Sequence, residues 1–163
     1  MGSAVVLGGG IAGLAAGLSL SQAGWRTWVV ERASQLEAAG AALSLWPNAV
    51  AGLARLGVLD EVKRRGMPFR TMLVADRRER PILPARRVDG EALMVTRSDL
   101  QEALTKALPD GVLMLGRTVD RVDIEGGVSL QFADGATKTA DIVVDGGGLR
   151  SVAADASGVS CGG

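Results

Sequence analysis

Gly8-Gly9-Gly10-Ile11-Ala12-Gly13 carries the spacing G-x-G-x-x-G, and a carboxylate, Glu31, follows eighteen residues after the last of these glycines. Each glycine has its own physical task. Gly8 makes a tight turn, Gly10 lets backbone come close to a diphosphate, and Gly13 lets a helix lie against a strand. A helix opening here would leave the N–H groups of Ile11 and Ala12 unpaired, at the positive end of its dipole. Glu31 is an acceptor suited to ribose hydroxyls and hostile to an added 2′-phosphate, which disfavours NADP at this place. The chemistry on offer is the holding of a dinucleotide. The fingerprint alone does not separate FAD from NAD, and a Gly-rich turn that only packs a helix on a strand would satisfy it too.

The flanking elements must therefore position it. Ala4-Val5-Val6-Leu7 is a continuous apolar run, as in a strand buried on both faces of a parallel sheet. Ile11, Leu14, Ala15 and Leu18 then give a helix an apolar side, Ala12, Gly13, Ala16 and Gly17 keep it slim, and Gly24 stops it. Thr27-Trp28-Val29-Val30 makes a second buried strand that delivers Glu31 and Arg32 at its tip. The opening reads as one β-α-β unit.

Further along, Pro47 suits the first turn of a helix carrying Val50, Leu53, Ala54 and Leu56, and a short helix over 58–65 follows Gly57. Residues 71–75 and 81–83 read as two strands joined by the charged turn Asp76-Arg77-Arg78-Glu79-Arg80. Thr96 or Ser98, with Asp99 or Gln101 three residues on, caps a helix that Pro109-Asp110-Gly111 ends. From Val112 the period becomes alternating. Val119, Val122 and Ile124, then Val128, Leu130 and Phe132, are separated by Gly126-Gly127 and followed by Asp134-Gly135, which predicts an antiparallel meander. Asp141-Ile142-Val143-Val144 returns to a buried strand before Gly146-Gly147-Gly148.

The 163 residues suffice for one domain with its own core, expected over 1–155 with a frayed tail over 156–163. Acidic and basic residues balance at eighteen each, so no general positive field gathers nucleic acid or anionic lipid. Histidine is absent and the one cysteine, Cys161, lies in a Gly-rich end, which argues against zinc sites and against Cys-His or Ser-His catalysis. No apolar run reaches membrane-spanning length, and the expected location is cytoplasmic.

The sequence also resembles a known family. Arg32 directly after Glu31, the segment Gly40-Ala41-Ala42-Leu43-Ser44-Leu45-Trp46-Pro47-Asn48, the helix start Thr96-Arg97-Ser98-Asp99-Leu100-Gln101, and Asp141-Ile142-Val143-Val144-Asp145-Gly146-Gly147-Gly148-Leu149-Arg150-Ser151 together look like the front part of the single-component, para-hydroxybenzoate-hydroxylase-like FAD monooxygenases. The resemblance implies an α/β, Rossmann-like fold of the glutathione-reductase type: a parallel sheet with helices and an antiparallel meander. It also implies FAD as cofactor, NAD(P)H as electron donor, and O2-dependent hydroxylation of a small aromatic substrate once the family's later segments complete the protein. By the same resemblance Gly8, Gly10, Ile11, Ala12 and Gly13 hold the diphosphate and Glu31 the adenosine ribose. Arg32 lies by the adenine and phosphates, Arg97 reaches the phosphate or ribityl region, Gln101 meets the ribityl hydroxyls, and Val119 pairs its backbone with adenine. Residues 41–44 run near the flavin ring.

Two departures stand out. Gly147 occupies the place of the family's aspartate, with Asp145 the nearest substitute, and Ala153 and Ala154 stand near where a basic residue is usual. The family's substrate-binding sheet and second FAD motif do not follow, so the chain reads as a truncated or engineered piece or as half of a split protein. Two other functions remain open. A non-catalytic FAD or nucleotide module fits the departures, while an NAD-dependent oxidoreductase would lack a Tyr or His base, since neither residue occurs.

Overall fold

The computed structural model describes residues 1–36, 40–148 and 152–153. In chain order the elements are β1 (Ser3–Leu7), α1 (Ile11–Gln22), β2 (Arg26–Val30), β3 (Ala42–Leu45), α2 (Pro47–Arg55), α3 (Leu59–Arg65), β4 (Met67–Pro68), β5 (Thr71–Ala75) and β6 (Pro81–Arg87). They continue with β7 (Leu93–Thr96), α4 (Arg97–Ala107), β8 (Leu113–Met114), β9 (Val119–Asp123), β10 (Val128–Phe132), β11 (Thr137–Ala140) and β12 (Ile142–Asp145). They form two compact units, Met1–Glu37 with Leu104–Gly163, and Ala38–Ala103. Leu149-Arg150-Ser151, Cys161 and the expected tail lie outside the described residues.

The first unit is built on a four-stranded sheet in the order β12-β1-β2-β8, every pair parallel. Strand alternation divides its two faces. Val6 and Val29 turn toward α1, where Gly13 and Gly17 leave room: a Cβ at Gly17 would stand 2.3 Å from Val29 Cγ2. Val5, Leu7, Trp28, Val30 and Val143 turn to the opposite face. There they pack with Val122, Val128, Leu130, Phe132 and Ala140 from the antiparallel sheet β11-β10-β9. The meander therefore covers the face of the parallel sheet that α1 does not. Leu130, fully buried at its centre, contributes about 1.5–3 kcal/mol by burial. Asp141 ties the entrance of β12 to β1, its Oδ2 accepting from Ser3 N–H at 2.6 Å and from Ser3 Oγ at 2.8 Å.

In the second unit β7 pairs antiparallel with β3 and with β4, and β5 pairs antiparallel with β6. Pro47 starts α2 as its sequence context predicts. Strand β6 runs four residues beyond the expected 81–83, and every residue of β5 and β6 is exposed. Thr96, not Ser98, caps α4: its Oγ1 accepts from Asp99 N–H at 3.1 Å and bonds the Asp99 carboxylate in return. This reciprocal pairing fixes where the helix begins. Among the described residues no helix is long and apolar enough to cross a membrane.

Candidate dinucleotide site

The glycine turn joins β1 to α1. Gly8 takes φ +93°, a left-handed value that favours glycine, and its N–H donates to Val30 O at 2.8 Å. A Cβ on Gly8 would meet Gly146 O at 2.5 Å, and one on Gly13 would stand 1.8 Å from Gly8 O. Gly146 in turn donates its N–H to Leu7 O at 2.8 Å. Two glycine turns thus interlock backbone to backbone, and no side chain fits between them. Gly10 is extended at φ −73°, ψ 177°, so its backbone angles do not demand glycine.

Helix α1 has neither a side-chain cap nor an acidic residue in its first turn. Its first internal bond runs from Leu14 N–H to Gly10 O at 2.9 Å, so the N–H groups of Ile11, Ala12 and Gly13 stand ahead of the ladder. Such a terminus favours an anion.

Glu31 lies just past β2 and reaches back across this turn. Its Oε2 accepts from Gly9 N–H at 2.6 Å and its Oε1 from Ala33 N–H at 2.9 Å. Each oxygen keeps a further lone pair, so the group can still accept from hydroxyls while its orientation is fixed. Arg32, next along, is exposed. The segment leading into β9 is laced to the same loop: Arg117 N–H donates to Glu31 O at 2.9 Å and Gly116 N–H to Ala33 O at 2.8 Å. Val119, two residues on, opens β9, which is an edge strand of its three-stranded sheet. The glycine turn, Glu31, Arg32 and the approach to Val119 thus occupy one region of the first unit.

Sequence reasoning passed over Arg117. Its guanidinium carbon sits 4.5 Å from the Phe132 ring centre, and Nη1 bonds Asp134 Oδ2 at 2.6 Å. No motif marks it; it joins this region through backbone pairing across more than eighty residues. Asp145 ends β12 opposite Leu7, and its Oδ1 accepts from Gly147 N–H at 2.9 Å. It therefore orders the turn that contains Gly147.

Arg97 and Gln101 belong to the second unit. Residues 41–44 and Arg97 are brought together there: Arg97 N–H donates to Ala41 O at 2.8 Å, and Ala42 pairs with Thr96. The Arg97 side chain is exposed, whereas Gln101, one turn along the same side of α4, is buried. Asp99 and Glu102, the carboxylates in α4 that would compete for Arg97, are both bound by Arg65. Trp46 is a rim aromatic, edge-on to Phe69 with ring centres 6.0 Å apart. Trp28 packs inward, with Lys138 Nζ 3.6 Å from its ring centre.

A family profile described as "FAD binding domain" matches residues 2–155. The chain belongs to that family. Among curated relatives of this FAD-binding domain, the FAD-dependent urate hydroxylase of Klebsiella pneumoniae is 30% identical over 158 residues, 91% of this chain and 41% of that protein. The 3-amino-4-hydroxybenzoate 2-monooxygenase PtnB3 of Streptomyces platensis is 34% identical over 90% of this chain and 39% of its own length. The crystal structure of Klebsiella pneumoniae HpxO complexed with FAD and uric acid superposes with a TM-score of 0.73 at 29% identity, covering 86% of this chain and 38% of that one. The chain thus spans about two-fifths of the length of the curated relatives it matches.

The residues of the FAD-binding domain fit the cofactor. A cradle that a single Cβ would fill, helix N–H groups free of any acidic cap, and an oriented carboxylate are the donor and acceptor set that a diphosphate flanked by a ribose requires. Its cofactor is FAD.

Proposed function

We propose that this chain is the FAD-holding part of a flavin-dependent monooxygenase that hydroxylates a small aromatic substrate, with NAD(P)H as electron donor, in a cytoplasmic setting. The observation that carries this reading is the Glu31 carboxylate locked to Gly9 N–H at the glycine turn, in a chain whose relatives are hydroxylases and monooxygenases. In this reading the turn and the first N–H groups of α1 hold the diphosphate, and Glu31 takes the adenosine ribose. Arg32 lies beside the adenine, Val119 offers backbone to adenine, and Arg97 and Gln101 serve the phosphate and ribityl side. Bound FAD supplies the electron transfer and oxygen chemistry; the protein's part is to bind, orient and exclude water.

Purified chain tests it. A yellow protein that releases FAD, takes electrons from NADH and reoxidises in air supports the redox reading. Bound FAD that NADH never reduces supports instead a non-catalytic FAD module, a reading favoured by Gly147 standing in place of an aspartate. On its own the chain is expected to oxidise its flavin without efficient hydroxylation, and stoichiometric hydroxylated product would contradict that expectation.

A further inference from the structure

The first two turns of α4 carry two acidic groups, Asp99 and Glu102, near the helix end where an anion would have to bind. At about 100° per residue, Asp99 stands about 200° and Glu102 about 140° around the helix from Arg97, while Gln101 is only about 40° away. Arg97 and Gln101 thus share one side and the two carboxylates the other. Acidic groups in a helix's opening turns weaken its attraction for another anion unless a cation compensates them. That cation is Arg65, the last residue of α3. Its Nη1 and Nη2 grip Glu102 at 2.5 and 3.1 Å in a bidentate pair, and Nη1 reaches Asp99 Oδ1 at 3.2 Å. Glu61 lies 3.3 Å from the same guanidinium and also pairs with Arg64. The fork geometry of arginine is what allows one side chain to serve both α4 carboxylates.

We propose that Arg65 is a positioning residue for the cofactor's phosphates: by holding Asp99 and Glu102 on the far side of α4 and offsetting part of their charge, it leaves Arg97 free to face the anion. The proposal rests on the reading of Arg97 as a phosphate-side residue. Arg65 itself touches no ligand in this scheme. It acts through the charge and orientation of a helix whose other side does the binding.

FAD titration of the chain by flavin fluorescence, at low and high salt, tests this, with thermal midpoints measured in parallel. Arg65→Gln should weaken FAD binding about 5–10-fold at about 20 mM salt and less than about 2-fold at about 0.5 M, where exposed charges are screened. Adding Glu102→Gln to that variant should restore most of the loss, and Arg65→Lys, which keeps the charge but not the fork, should bind between wild type and Arg65→Gln. A loss that is independent of salt and not restored by Glu102→Gln would mean a merely structural clamp and would overturn the proposal. So would wild-type affinity in Arg65→Gln when Arg97→Gln binds weakly. Wild-type affinity in Arg97→Gln would instead overturn the reading of Arg97, and this proposal with it.

Discussion

Gly13 is where geometry leaves least freedom. A methyl group there would lie 1.8 Å from the carbonyl oxygen of Gly8, a backbone atom that cannot swing aside as a side-chain tip can. Gly13→Ala is therefore expected to cost about 1–3 kcal/mol of stability and to abolish measurable FAD retention, read by denaturation and by flavin content after gel filtration. Full retention would mean that α1 does not pack this closely on the Gly8 turn. Asp141 gives a pH-dependent case. Hydrogen bonds from the Ser3 N–H and hydroxyl, helped by the N-terminal charge and Arg26, hold its carboxyl below the usual aspartate value. The folded protein thus gives up this proton more readily than the unfolded chain does. Its stabilising effect is complete above the ordinary value of about 3.9 and is lost as pH falls through the lower, folded value. In Asp141→Asn the acid-unfolding curve should be flatter in that window and the deficit against wild type should shrink toward low pH. A deficit that stays constant from neutral pH down to about pH 2 would exclude this role.

Elements differ in how much of the fold they carry. β10 lies at the centre of the meander with Leu130 fully buried, whereas Ile82 in β6 is 63% exposed. Leu130→Ala should cost about 2–5 kcal/mol by urea denaturation and Ile82→Ala no more than about 0.5 kcal/mol. Equal costs would place the core elsewhere. The same contrast explains what could be read from sequence. β1, α1 and β2 were legible because a buried parallel strand is an unbroken apolar run and a slim helix shows its glycines. The meander was legible because Val128, Leu130 and Phe132 alternate with polar residues. β7 was not: Met94, apolar yet 43% exposed, hides an in-out alternation that burial makes plain. β4 and β8 have two residues each, too few to show any period.

At the scale of the whole molecule, the site divides in the same way. Glu31 and the glycine turn could be named from spacing because a β-α-β unit fixes where its second strand ends relative to its first turn. The bonds from Gly9 and Ala33 to Glu31, the link from Arg117 to the same loop, and Arg65 binding Asp99 and Glu102 depend on tertiary pairing and left no local pattern. Glu31→Ala removes a charged acceptor worth about 1.5–3 kcal/mol, roughly a 10–100-fold loss of affinity.

The most direct measurement is the FAD affinity of the purified 163-residue chain and of its Glu31→Ala variant, with circular dichroism confirming that both are folded. One FAD bound per chain, with a loss of about 10-fold or more on removing the Glu31 carboxylate, is the expected result. A folded wild-type chain that takes up no FAD at saturating concentration, or equal affinity in the two proteins, would contradict the grip of turn and carboxylate on which the functional reading stands.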